Sequence, residues 1–258
     1  MKKISFLLMA SVVLISCGES KKEAPKNTDL PSDNLLGKVE KATETTYKAD
    51  SAGKPGDQDS CCVVTTKYDE KGYASGYTSV NKAGTNTEEG VFSHNDNGSF
   101  IAQKTTKNGK PFSSVTVQNE NGKISGAQEF DSTNKLSFYY TDVTVNDYER
   151  LTGFKQYKPD STLKMSMTNT YDKQILKAQS IKDSVGKETY SSNLKLNDKN
   201  NVIESTTKEV TKDSTINKTT KYRYDSFDDT GNWTQKTEMD GNGKPVKIVK
   251  RTVTYYKE

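Results

Sequence analysis

After Cys17, apolar and polar positions alternate in short runs along nearly the whole chain. Leu163, Met165 and Met167 fall on one face of an extended segment, as do Leu194 and Leu196, and Ile216, Tyr222 and Tyr224. A period of two marks strands with one covered face. Val246 and Ile248 oppose Val249, Val253 and Tyr255, so the last strand is apolar on both sides, as expected of a central or doubly packed strand. Turn-forming clusters punctuate the runs at Asp69–Gly72, Asn81–Asn86, Asn95–Gly98, Asn108–Lys110, Asn119–Gly122 and Asp131–Asn134. They continue at Asn146–Asp147, Pro159–Ser161, Asp183–Gly186, Asn197–Asn201, Lys212–Ser214, Asp228–Gly231 and Asp240–Gly243. No window beyond Cys17 carries helical periodicity. The expected fold is all-β: one antiparallel meander of about 15 strands at the usual strand spacing, forming an extended, coiled or half-open barrel sheet. Residues 35–258 make up this domain, with a first strand from Leu35 to Ala49 and a loop from Ala49 to Ser60.

The chain begins differently. Lys2 and Lys3 precede an apolar run from Ile4 to Ile15, and small Ser16 stands before Cys17. This is a secretory layout, and the run is shorter than the about 20 residues a membrane-spanning helix needs. Leu14-Ile15-Ser16-Cys17 resembles the lipobox of bacterial lipoproteins. The resemblance implies removal of residues 1–16, acylation of Cys17 as the mature N-terminus, and a membrane anchor without a spanning helix. Several acyl chains hold almost irreversibly, at about 0.8 kcal/mol per buried methylene. Gly18, where inner-membrane lipoproteins of enteric bacteria carry Asp, implies the outer membrane; periplasmic or surface facing stays open. Residues 17–34 are expected to be the lipidated cysteine and a flexible linker, because Gly18 to Ser32 holds scarcely an apolar residue.

Apolar residues are only 31% of the chain, a share that alone would suit disorder. Yet 14 Tyr and 8 Phe, with abundant Thr and Val, suit a pleated surface, so we expect a folded sheet with a thin core. Basic residues number 38 against 34 acidic ones, and cleavage before Cys17 removes only Lys2 and Lys3. The remaining lysines are spread from end to end, which excludes the one-sided basic footprint of a nucleic-acid binder.

Tyr68-Asp69-Glu70-Lys71-Gly72, and Tyr222-Arg223-Tyr224-Asp225 followed by Asp229-Thr230-Gly231-Asn232-Trp233, resemble the YD (Rhs-like) repeat. The stretch from Gly231 through Gly243-Lys244-Pro245 to Arg251 and Tyr255 is similar to the final unit of Bacteroidetes lipoproteins that carry such repeats, and Gly37–Tyr47 to their first strand. Phe130-Asp131 and Tyr171-Asp172 lack the following glycine, so the repeat is degenerate. The resemblance implies an array of β-hairpins and no particular activity. Physically, Asp or Asn accepts bonds from backbone two residues on, while Gly or Asn supplies positive φ.

Catalytic constellations are sparse. His94 is the single histidine, which excludes multi-histidine metal sites, and no Gly-x-Ser-x-Gly elbow or phosphate loop accompanies it. Glu238-x-Asp240-x-Asn242-Gly243 begins like a calcium loop but has Val249 at its twelfth position, where a bidentate Glu is required. Asp57 with Asp59, and Asp228 with Asp229, are weak calcium candidates read first as turn acids. No catalytic residue, resident metal or cofactor is expected beyond the N-terminal lipid. Adjacent Cys61 and Cys62 point to opposite strand faces; a vicinal disulfide, a bridge to another chain and two quiet thiols are all open to them. Tyr139, Tyr140, Trp233, Tyr255 and Tyr256 are candidates for an aromatic contact surface, the alternative being cross-strand packing.

The expected function is a membrane-anchored, non-catalytic β-scaffold for a glycan, a peptide or another envelope protein, with no nucleic-acid partner. A rival is a half-barrel carrier of a lipid or other apolar ligand, its concave face lined by Leu163, Met165, Met167, Leu194, Ile216 and Val246. The remaining alternative is an enzyme acting on envelope polymers, which requires carboxylates converging in a cleft.

Overall fold

Backbone hydrogen bonding decides the architecture. In the computed structural model, which describes residues 28–257 except 51, 96–97 and 121–122, sixteen strands pair antiparallel in sequence order. They are β1 (Val39–Ala49), β2 (Pro55–Tyr68), β3 (Ala74–Val80), β4 (Thr87–His94), β5 (Phe100–Lys107) and β6 (Lys110–Glu120). Next come β7 (Lys123–Asp131), β8 (Leu136–Val145), β9 (Leu151–Tyr157), β10 (Leu163–Asp172) and β11 (Ile175–Asp183). The chain ends with β12 (Glu188–Leu196), β13 (Val202–Val210), β14 (Thr215–Phe227), β15 (Trp233–Asp240) and β16 (Pro245–Tyr255). The last strand pairs with the first, Ala42 opposite Val253 and Thr46 opposite Val249, so the sheet closes into a barrel. The expected meander is therefore correct in order and direction, but it is neither extended nor half-open.

The turns explain much of this. At Asp69 the backbone N–H groups of Lys71 and Tyr73 both donate to the carboxylate at 2.9 Å, and Gly72 N–H donates to Asp69 O. Gly72 stands at φ +91°, where a side chain is strained. Asp131, Asn146, Asp183, Asn197, Asp228 and Asp240 repeat the same bonds. This is the three-residue hairpin loop that closes on a bulge with one left-handed residue. Bulges raise local twist and curvature, and nearly every ladder carries a register shift, for example between Lys67 and Tyr68 and between Glu129 and Phe130. A sheet bent the same way at successive hairpins curls until its edges meet.

Four boundaries differ from expectation. β1 starts at Val39 rather than Leu35, and the loop ends at Lys54, since β2 runs from Pro55 through the cysteines. The tight turn at Lys173-Gln174 carries no glycine to announce it; Lys173 itself takes φ +57°. Thr28 to Asn34, expected as the end of a mobile linker, is ordered: a 3-10 turn spans Leu30–Asp33, and Thr28, Leu30 and Ser32 are buried. Leu30, Asp29 and Asp33 find partners far along the chain that no local pattern supplies. The signal segment, Cys17 and the linker up to residue 27 lie outside the described residues.

Gly76 on β3 faces Gly90 on β4 so closely that a methyl group at Gly76 would sit 2.4 Å from the Gly90 carbonyl oxygen. Gly76→Ala is expected to destabilise the barrel by about 1–3 kcal/mol, the usual cost of overpacking. A melt followed by far-UV circular dichroism should show the lowered midpoint, and an unchanged midpoint would contradict this packing.

Candidate functional site: a barrel lumen sealed at one end

Strand register sorts the side chains into two walls. One face runs Ala42–Thr66–Tyr77–Gly90–Thr105, then Gln103–Val115–Glu129–Phe138, then Tyr140–Gln156–Met165. It continues through Met167–Ile181–Tyr190 and Ser205–Thr220 to Tyr222–Glu238 and Lys236–Val249. This face holds Tyr68 and Arg251, which contact the N-terminal segment inside the barrel, so it points inward. The alternate face runs Thr43–Thr65–Thr78–Glu89–Thr106, Thr141–Lys155–Ser166, Ser180–Ser191–Lys208 and Thr45–Lys250. A membrane-spanning barrel needs an outward apolar band about 25 Å tall. A wall of Thr, Ser and Lys belongs in water.

Sixteen strands about 4.8 Å apart make a ring about 77 Å around, hence a backbone diameter of about 24 Å before tilt. Inward side chains cannot fill that width, as eight-stranded barrels fill theirs. Accordingly Tyr77, Phe92, Phe138, Tyr140, Phe154 and Tyr190 remain only half-buried, and Val64 and Ile216 keep 37% and 53% exposure. Apolar contacts form between neighbouring strands: Met165, Met167 and Ile181 pack with Phe154 and Tyr190, and Tyr140 meets Phe154 edge-on at 5.2 Å. Polar groups on the same wall are held in pairs. Tyr77 donates to Glu88 at 2.6 Å, Tyr140 to Glu129 at 2.5 Å, and Gln156 Nε2 to the Tyr140 hydroxyl at 2.8 Å. Burial, and then the carboxylate beside each, pushes the Tyr77 and Tyr140 hydroxyls well above the usual range. For Tyr222, burial and Glu238 push it up to about 12.

One end is closed by the chain's own N-terminal segment. Asp29 N–H donates to Gly72 O and its carboxylate accepts from Ala74 N–H and from Arg150 at 2.8 Å. Arg150 also donates to the Thr28 carbonyl and to Gln174. His94 Nε2 lies 3.8 Å from Asp29. Asn34 donates to Asn201, Leu36 and Asn232 exchange two bonds, and Arg251 donates to the carbonyls of Asp33 and Asn34. Leu30, Leu35, Val39, Ala42 and Tyr68 form the apolar seat beneath. A nine-residue segment spans about 30 Å at most, so strand ends from around the ring are gathered onto it.

Arg251 is the centre of the seat's electrostatics. Its guanidinium lies 3.7 Å over the Trp233 ring and bonds Glu44 at 2.5 and 2.9 Å. Burial alone would raise the Glu44 pKa, but the charges of Arg251 and Lys236 outweigh it and hold it below its ordinary value. Lys236, against the same indole, is pushed down by burial despite Glu44 and Glu238. Asp33 goes the other way: burial, aided by the nearby Asp29 charge, raises it to about 7 against the bond from Tyr68.

The sequence candidates scatter. Tyr139 faces outward, stacked on Tyr157 at 5.3 Å, while Tyr140 faces the lumen. Trp233, Tyr255 and Tyr256 sit at the sealed end, where Asn232 and Asp228 bond the Tyr255 hydroxyl and Tyr256 donates to Tyr68 O. The five rings therefore form no common platform; they pack within the sheet and against the N-terminal segment. Of the expected concave lining, Met165, Met167, Leu194 and Ile216 share the inward face. Leu163 instead pairs with outward Tyr157 across a bulge, and Val246, on the alternate face from Val249, is exposed. Cys62 is disulfide-bonded; the Cys61 side chain lies outside the described residues. Asp228 serves as a turn acid, and Asp59 pairs with Lys247 at 3.2 Å. Asp33 and Arg150 stand in no motif of the sequence, and Asn232 and Arg251 occur there only as parts of the repeat units, with no role assigned. One signal was available: Arg150, Arg223 and Arg251 are the only arginines in a lysine-rich chain, and two of them hold the seal.

No family model matches the chain, and no curated protein does. Among solved structures, a porin-like protein from Bacteroides uniformis is similar at TM-score 0.53 and 15% identity, over 84% of this chain and 96% of that one. A porin-like protein from Bacteroides vulgatus matches at TM-score 0.34 and 12% identity, over 85% and 99%. The Tc holotoxin pore of Photorhabdus luminescens matches at 0.29 and 12%, over 82% and 13%. The first likeness shows the fold alone.

Replacing Arg251 with Met should cost about 1–2 kcal/mol, because it leaves the partly exposed Glu44 carboxylate and two part-buried carbonyls without their donor. Urea unfolding would measure this, and a loss below about 1 kcal/mol would remove Arg251 from the centre of the seal.

Proposed function

We propose that this chain is a lipid-anchored, non-catalytic envelope protein whose barrel lumen receives an apolar or amphiphilic small molecule. The observation that carries the reading is the division of the two walls. Polar Thr, Ser and Lys face outward, whereas half-exposed Phe138, Tyr140, Phe154 and Tyr190, with Met165 and Met167, face a lumen the protein does not itself fill. Water against such a wall is the state that a bound apolar body relieves. Paired carboxylates and tyrosines at Glu88–Tyr77 and Glu129–Tyr140 add acceptors for a polar head. The address rests on the segment ending at Cys17: an acyl anchor, at the outer membrane, with no cofactor besides that lipid.

The scaffold reading keeps one observation of its own, the outward stacked pair Tyr139 and Tyr157. Stacked rings on an otherwise polar wall are a suitable contact for a glycan or an envelope protein.

Titration of the soluble form from residue 18 with a fluorescent fatty-acid probe tests the main proposal. Saturable binding near one probe per barrel is expected. Phe154→Asp should weaken it at least about tenfold, since the added charge must be desolvated, while the strand signal in circular dichroism is kept. Absent or non-saturating binding, together with capture of a glycan lost in Tyr157→Ala, would hand the function to the outer wall.

A further inference from the structure

We propose that Thr28–Leu36 is a releasable stopper, which leaves the sealed end as a unit while the strand ladder stays intact and so turns a cup into a conduit. The segment adds no strand to the sheet. The barrel closes through β1 and β16 alone, and every backbone pair of that seam lies after Leu36 in the chain. Withdrawal therefore breaks no ladder.

The seat is also imperfectly satisfied, in contrast to the turns. Among the described residues, four buried side-chain atoms have no hydrogen-bond partner; Thr28 Oγ1, Ser32 Oγ and Arg150 Nε lie in the stopper or on the residue that grips it, and the fourth is Gln156 Oε1 on β9. An unpaired buried polar group favours the state in which water reaches it. The grip consists largely of side-chain bonds between a short stretch of chain and Arg150, Asn201, Asn232, Arg251 and Tyr68, with Leu30, Pro31 and Leu35 as buried apolar anchors.

Asp33 supplies a condition for release. Its carboxyl faces Tyr68, Asp29, Glu44 and Arg251, and burial raises its pKa to about 7. Seated, the acid prefers its proton; released, it ionises near the ordinary carboxylate value of 3.8. Seating is thus strongest in acid and weakens as pH rises from about 4 to about 7, then levels off. Asp29, bound by Arg150 and facing His94, lies on the same seat, so the contribution of Asp33 needs its own variant. What passes through the opened end rests on the receptacle reading; the movement itself does not.

Hydrogen exchange of the full chain without ligand, corrected for intrinsic rates, tests the movement. Protection of residues 28–36 should fall at least about tenfold between pH 5 and pH 7, with β1 and β16 unchanged. Asp33→Asn should flatten that dependence. Tyr68→Phe, which removes the bond favouring the carboxylate, should shift it to higher pH. Loss of protection in 28–36 only together with β1 and β16, or a fall retained in Asp33→Asn, would overturn the proposal. Failure of the fatty-acid titration would leave this result untouched.

Discussion

The seam between β1 and β16 is the constraint on which the rest depends. A sixteen-stranded open sheet would present two long unpaired edges, each a template for association. Pairing Ala42 with Val253 and Thr46 with Val249 removes both. It also makes sidedness absolute, because in a closed sheet each residue faces either the lumen or water. Both sides of the seam are well covered: Val249 is 5% exposed on the inner side and Ile248 is fully buried on the outer one. Beside Ile248, outward Thr237 is buried too and donates to Asp225, which Arg223 also holds.

Closure by itself would leave a tube. What makes it a cup is a polar seal, in which a few charged groups are shared among many partners. Arg251 joins β16 to Glu44 of β1 and to two carbonyls of the N-terminal segment, and it covers Trp233 of β15. Arg150 does the same on the opposite side with Asp29, Thr28 and Gln174. Their planar, multidentate guanidinium groups suit this task where lysine would not. The arrangement explains how a protein with few aliphatic residues holds its end shut: a small apolar cluster of Leu30, Leu35, Val39, Ala42 and Tyr68, with Ala74, Val253 and Tyr255 packed on it and Trp233 buried beside it, is joined by hydrogen bonds to charged groups.

The functional reading follows from the same two facts. Among the described residues, an outer wall of Thr, Ser and Lys lacks the apolar band that a hydrocarbon layer requires, and an inner wall that carries aromatic rings, closed at one end by residues 28–36, suits a receptacle. The porin-like structure that shares the fold shows that such a barrel exists elsewhere and says nothing of what this lumen receives.

The sequence by itself determined what depends on neighbours along the chain. Asp69 to Gly72, Asp183 to Gly186 and Asp240 to Gly243 announce their hairpins because the acid bonds its own turn and the glycine adopts the positive φ locally. Alternation at Met165 and Met167 likewise reveals one shared face. The turn at Lys173-Gln174 escaped, since Lys173 takes a left-handed conformation without a residue type that signals it. Only the tertiary structure decided that the sheet closes, that this face is an inner wall, that Asp29 and Asp33 belong to a seal rather than a linker, and that Leu35 belongs to that seal rather than to the first strand. The reason is separation: Glu44 meets Arg251, and Leu36 meets Asn232, across nearly the whole length of the chain. No local pattern records a pairing that curvature, accumulated over sixteen strands, brings about.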